Sequence, residues 1–298
     1  MKRVIITNYT DPVCVWCWGT EPVFRALETH FPELIEFRYV CGGLVENIDQ
    51  FTDAGNGIDG GADRANRQIM EHWLASADRH GMPIQAEGFH LFSKEYPSTF
   101  PQNIAYKAAQ IASPELADAY LRRLREATLA EARITSKTEV QIELAGEVGV
   151  NVEKFIAALH DESAEKKFNA DLWVTRSLGV SGFPTFLCKT SEARQVMVRG
   201  FQNYKSLSGV ISYLTDGELQ PVQVPPDEAV LNGLFANHKK LAREEIYQAF
   251  DFADRAQADA WISLLAGKGK VEIQTAGSSY FIRPVESLSC NSITGVFE

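Results

Sequence analysis

Two cysteines one helical turn apart, in Cys14-Val15-Trp16-Cys17, are the residues of this 298-residue chain best suited to do chemistry. In a reducing compartment such a pair either holds half of a metal site or cycles between dithiol and disulfide. A structural zinc site needs two further ligands. Cys41, Cys188 and Cys290 form no second close pair, and His30 and His90 stand at no ligand-like spacing from the first. Redox use is therefore favoured over metal binding and over two inert buried thiols. In that use Cys14 is the nucleophile, and Cys17 attacks the resulting mixed disulfide and releases the substrate.

Reactivity depends on the elements that hold the pair. Residues 3–7, with Val4, Ile5 and Ile6, read as a buried strand ended by Asp11-Pro12. Helical spacing of Val23, Phe24, Leu27 and Phe31 predicts a helix to about His30. Cys14 then sits at a helix N-terminus, where free amides and the helix dipole favour a thiolate. Asp11 is a candidate for tuning Cys14, with an Asx turn or cap as the structural alternative. Pro22, inside the helix, predicts a kink and a freed carbonyl. Residues 35–41 alternate as a second strand, so the chain opens β-α-β with a right-handed crossover.

Strand signals nearly vanish between 62 and 178, where alanine-rich and amphipathic segments predict helices. They return at 185–188 and 196–198 as a hairpin, followed by a helix over 204–214. Residues 220–226 hold three prolines and read as a linker. Helices over 240–250 and 255–266 and a hairpin over 270–283 then follow, in the order of the second half of a winged-helix module. Just before the third strand, Gly182-Phe183-Pro184-Thr185-Phe186 places a proline where a cis peptide could pack against the cysteine pair.

Taken together, Cys14–Cys17, Pro22 and the Gly182–Phe186 segment resemble the thioredoxin superfamily. The helical block after the second strand is similar to the DsbA branch, and Asp11–Trp18 resembles its cytosolic disulfide-isomerase and FrnE-like members. The resemblance covers about residues 1–216. It implies an α/β thioredoxin fold, with residues 1–61 and 179–219 as the thioredoxin domain and 62–178 as an inserted helical domain. Residues 227–298 would form a small C-terminal α+β winged-helix-like module. It also implies a thiol–disulfide oxidoreductase or isomerase whose substrate groove is shaped by Val15, Trp16, Phe183 and Pro184. Histidine is absent between the cysteines, so a reducing or isomerising role is as much implied as an oxidising one.

Two other functions fit the same fold. One is an adaptor that delivers partners to a protease and needs no working disulfide. The other is a glutathione-dependent isomerase of the 2-hydroxychromene-2-carboxylate type, which usually carries serine at the first cysteine position. No cofactor is expected beyond the Cys14–Cys17 disulfide itself, with glutathione as a candidate co-substrate, and no metal. Expected partners are protein or small-molecule thiols and disulfides, with homodimerisation left open.

Composition narrows the setting. The chain is 45% hydrophobic and 23% charged, as in globular proteins, and its formal charge of −10 argues against nucleic acid or anionic membrane as a partner. Even residues 222–298 carry seven Lys and Arg against ten Asp and Glu, which disfavours a DNA-binding wing. Residues 1–18 lack the apolar run and cleavage site of a secretory signal, so a cytoplasmic location is expected. Cys41 and Cys188 read as buried structural thiols, Trp18 as packing or groove, and the remaining histidines as solvated or structurally satisfied.

Overall fold

A computed structural model describes residues 3–285. Cys290 and the end of the C-terminal module lie outside the described residues. Strand β1 (Val4–Thr10) is central in a four-stranded sheet of order β2-β1-β3-β4, with β2 at Ile35–Cys41, β3 at Thr185–Thr190 and β4 at Gln195–Arg199. It runs parallel to β2, from Val4 opposite Ile35 to Thr10 opposite Cys41, and antiparallel to β3. β1 continues past the expected end at residue 7 because Asn8 and Tyr9 are paired on both sides and Thr10 is paired with β2, despite their polar side chains. This is the expected thioredoxin-type α/β core.

The expected first helix is two: α1 (Val15–Trp18) and α2 (Glu21–His30), broken at Gly19 and Thr20. Pro22 therefore does not kink a helix interior. It lies in the first turn of α2, where a missing N–H costs nothing. The break is fixed by close packing: a Cβ on Gly19 would fall 2.5 Å from the His80 ring. One sheet face is covered by α2 and by α9 (Tyr204–Leu214), burying Val4 and Ile6 among Phe24, Leu27, Leu207 and Ile211.

Between β2 and β3 stand α3 (Ala62–His80), α4 (Phe100–Ala112), α5 (Ala117–Arg125), α6 (Thr138–Val148), α7 (Val152–His160) and α8 (Ser163–Ser177). Tyr106, Tyr120, Leu124, Phe155 and Phe168 form a core within this block. α5 passes directly into a π-helical turn over Glu126–Ala130.

The C-terminal part holds α10 (Glu228–Asn237), β5 (Leu241–Ala242), α11 (Arg243–Ala249), α12 (Arg255–Gly267), β6 (Val271–Ala276) and β7 (Ser279–Pro284), with sheet order β5-β7-β6. α10 was not expected, though Asp227 is a plain N-cap signal and accepts from the Ala229 and Val230 amides. The proline-rich stretch before it is tied down, the Val222 amide donating to His30 O at 2.9 Å.

This part does not hang free. Thr29 Oγ1 donates to Ala249 O at 2.9 Å, and the Phe281 ring lies 6.3 Å from Trp18. A buried ion cluster binds it to the other two parts. Glu245 of α11, 0% exposed, takes a two-pronged pair from Arg122 of α5 at 2.6 and 2.7 Å, and lies 3.6 Å from Arg25 of α2. Arg25 and Arg122 also reach Glu21, at 3.5 and 3.3 Å. Removing one member of such a cluster strands its partners as buried, unpaired charges, at a cost of about 3–5 kcal/mol. Glu245→Ala should therefore lower the urea midpoint by a loss of that order, whereas Arg283→Ala, which breaks an exposed pair with Glu272, should cost less than about 1 kcal/mol.

Candidate functional site

The turn between β1 and α1 is held by one carboxylate. Asp11 is fully buried and accepts from the amides of Val13 (3.0 Å) and Leu44 (2.7 Å), from Asn103 Nδ2 (2.8 Å) and from Thr99 Oγ1 (3.2 Å). These donors come from the cysteine turn itself, the segment after β2 and the start of α4. Burial raises the Asp11 pKa, and the four hydrogen bonds pull against that rise. Its side chain thus acts as a clip between sheet and helical block.

Cys14 caps α1. Its Sγ accepts from the Cys17 amide at 3.2 Å and faces Phe183 O at 3.6 Å. The Phe183–Pro184 peptide is cis. Cys14 is 5% exposed and lines a cavity of about 590 Å³; Cys17 is 0% exposed and lies behind it. Val15, Trp16 and Phe183 also line this cavity, together with His72, Trp73 and Phe92, whereas Pro184 is buried and does not. The Phe183 ring lies so close over the backbone that a Cβ on Gly42 would fall 1.9 Å from its Cζ.

Trp16 is enclosed by His72 and His80 of α3, each with ring centroids 6.0 Å away, and by Phe201 at 5.6 Å. Neither histidine was singled out from sequence, where nothing links α3 to the cysteine turn. Burial draws His80 down to about 4, so it is neutral at physiological pH. Trp18 is packing: its Nε1 donates to Pro83 O at 3.0 Å, with Arg122 4.7 Å above the ring. Cys41 and Cys188 are fully buried, and burial raises both thiols, Cys188 to about 12. Among the described residues no group of three or more His, Cys, Asp or Glu is placed to hold a metal ion.

Both sulfurs of the pair are buried, and burial works against a charge on either. Burial pushes Cys14 well up, and the adjacent Cys17 adds to the rise. Burial also opposes ionisation of Cys17, but a hydrogen bond from Cys14, the positive charge of Arg125 and the Thr10 hydroxyl outweigh it and bring Cys17 below its ordinary value. α1 is a single turn, so its dipole is small.

Residues 8–208 match the thioredoxin family profile. The chain belongs to the thioredoxin family. It is similar in fold to a candidate protein disulfide isomerase from Nitrosomonas europaea (TM-score 0.60, 18% identity, 73% of this chain and 100% of that one). It is also similar to the cytosolic disulfide reductase DsbM from Pseudomonas aeruginosa (TM-score 0.51, 22% identity, 78% and 99%). In sequence it is 24% identical over 275 residues to the ClpXP adapter protein SpxH of Shouchella clausii (strain KSM-K16), covering 91% of this chain and 85% of that protein. The SpxH of Bacillus subtilis (strain 168) is 23% identical over 256 residues, covering 85% and 80%. Among the described residues no helix is long and apolar enough to cross a membrane.

The Asp11 clip makes a stability claim. Asp11→Ala strands the Val13 and Leu44 amides, whereas Asn103 Nδ2 keeps Thr99 O and Thr99 Oγ1 keeps Val45 O as acceptors, and each buried unsatisfied group costs about 1–3 kcal/mol. The thermal midpoint should fall by several degrees or more, with Leu44 and Val13 amides losing hydrogen-exchange protection first.

Proposed function

We propose that this protein exchanges disulfides through Cys14 and Cys17. The observation that carries the reading is the unequal burial of two adjacent thiols: Cys14 opens onto the cavity and Cys17 is sealed behind it. A substrate sulfur can therefore meet only Cys14. The Cys17 thiolate takes the Cys14 proton, and the Cys14 thiolate attacks a substrate disulfide. One substrate sulfur leaves as a thiolate and takes the proton held by Cys17, and the other is joined to Cys14. Cys17, returned to its thiolate, attacks the Cys14 sulfur, forms the intramolecular disulfide and expels the second substrate thiolate. Two electrons pass from the pair to the substrate; the same steps run backwards when the substrate is oxidised.

The cavity wall suits a sulfur flanked by apolar groups, since Trp73, Phe92 and Phe183 line it. Val15, Trp16 and Phe183 are the side chains a bound peptide or small thiol would meet first, with Pro184 supporting Phe183 from behind. Glutathione is the co-substrate to try first.

A second reading has a specific observation in its favour. The SpxH similarity to one relative extends over 91% of the chain, beyond the residues matched by the thioredoxin family. In this reading the protein presents partners to a protease, and the cysteines are dispensable.

Redox titration against glutathione buffers separates the two. Exchange requires a reversible Cys14–Cys17 couple, expected between the roughly −120 mV of a strong oxidant and the roughly −270 mV of a reductant. Cys14→Ser should abolish disulfide exchange while leaving the urea midpoint near that of the parent. The absence of any measurable couple in the folded protein would overturn exchange and favour the adaptor.

A further inference from the structure

One wall of the cavity onto which Cys14 opens has no part in the exchange steps. It is built by the end of α8 and the segment that leads to the cis peptide. Thr175, Arg176, Val180 and Phe183 all line it, and Phe183 O faces the Cys14 sulfur. The turn between helix and segment is fixed by the backbone: the Gly179 amide donates to Arg176 O at 3.0 Å and the Val180 amide to Thr175 O at 3.1 Å. Arg176 is thereby held on the same wall as the peptide group that faces the nucleophilic sulfur.

Asp53 and Arg176 are the charged side chains among the lining residues, and they differ in what holds them. The Asp53 carboxylate closes its own loop, accepting from the Asn56 amide at 3.2 Å and from Asn56 Nδ2 at 2.7 Å. The Arg176 guanidinium is exposed and makes no hydrogen bond or ion pair with any other described residue. Its neighbour Thr175 is 3% exposed, borders the same cavity, and leaves its hydroxyl without a partner. That hydroxyl does not even bond back to the carbonyl one helical turn earlier, as a helical threonine commonly does. A buried hydroxyl without a partner is destabilising, and a ligand oxygen beside it removes the cost. A cation in the last turn of α8 suits the helix dipole, which accounts for an arginine there but not for the idle hydroxyl next to it. A carboxylate accounts for both, since it accepts from a guanidinium and from a hydroxyl at once.

We propose that Arg176, with the Thr175 hydroxyl, binds a substrate carboxylate, so that Cys14 serves small disulfides whose sulfur lies near a free carboxylate, as in glutathione. The proposal rests on the exchange reading for its use and gives that reading a substrate class. The cavity, about 590 Å³, has the size of a site for a small ligand. A tripeptide thiol places its sulfur at Cys14 and a terminal carboxylate at Arg176, with its apolar atoms along Val180 and Phe183. The arginine also offsets the formal charge of −10, which by itself repels an anionic disulfide. Arg176 keeps its charge throughout, so it selects and orients the substrate and takes no part in moving protons or electrons.

The test separates binding from exchange. S-methylglutathione carries both carboxylates and no free thiol, so its affinity for the full-length protein, measured by calorimetry, needs no redox step. Arg176→Gln should weaken it about three- to five-fold, as for one partly solvated ion pair, and Arg176→Lys should recover part of the loss. The loss should be smaller for the dimethyl ester, which offers no negative charge. Arg38→Gln, which removes a cation from an exposed pair with Glu36 on β2, is the control that leaves the affinity in place. In Cys17→Ser protein, adduct formation at Cys14 is then timed with oxidised glutathione and with bis(2-hydroxyethyl) disulfide, which has no carboxylate. The ratio of the two rates should fall about three- to five-fold on Arg176→Gln. A parent protein that does not bind S-methylglutathione would overturn the proposal. So would an affinity unmoved by both Arg176→Gln and Thr175→Val, or lowered equally for acid and ester. Binding that responds to Arg176 in protein that forms no adduct at Cys14 would sink exchange and leave the carboxylate site standing. Adducts formed in the same rate ratio with and without Arg176 would sink the site and leave exchange.

Discussion

A carboxylate sealed from water must find cations, and Glu21 at the start of α2 finds three: Arg25 from its own helix and Arg122 and Arg125 from α5. Glu245 of α11 closes the ring from the other side. Each of these charges is tolerable only because the others are in place, since an isolated ion in the interior costs several kcal/mol. The cluster therefore forces the sheet, the helical insertion and the C-terminal module into one relative arrangement. It also sits immediately behind the cysteine turn. Trp18 is packed between Arg122 and Phe281, so the residue after the second cysteine touches all three parts of the chain.

That arrangement explains why the insertion is more than a lid. On the cavity side, α3 brings His72 and Trp73 to the mouth of the site and encloses Trp16. On the buried side, α4 supplies Asn103 to the Asp11 clip, and α5 supplies Arg125 to Thr10 and Glu21. The front of the insertion lines the cavity onto which Cys14 opens; its back meets Asp11, Thr10 and Glu21.

The core of the fold was legible because local signals and global packing agree there. Val4, Ile5 and Ile6 are β-branched, residues 35–41 alternate, and the returning strands follow Gly182–Phe186, so the sheet could be read from period and punctuation. The cysteine spacing named the two sulfurs for the same reason. What stayed hidden depends on long-range contact. Thr10 and Arg125 carry no pattern that pairs them, and Asp11 shows its four donors only once the segment after β2 and α4 are in place. Expecting the negative charge on Cys14 rested on a helix dipole, and the helix that Cys14 caps is a single turn. Pro22 misled because a helix start and a helix interior look alike when the break lies at Gly19, where the reason is the distant His80 ring.

The exchange reading comes down to which sulfur a substrate can reach. Trapping answers this directly: full-length Cys17→Ser protein is mixed with oxidised glutathione, and the adduct is mapped by mass spectrometry. A single glutathione joined to Cys14, released by a reductant, is the expected result. Protein that stays folded and forms no adduct, or forms it only at another cysteine, would contradict it.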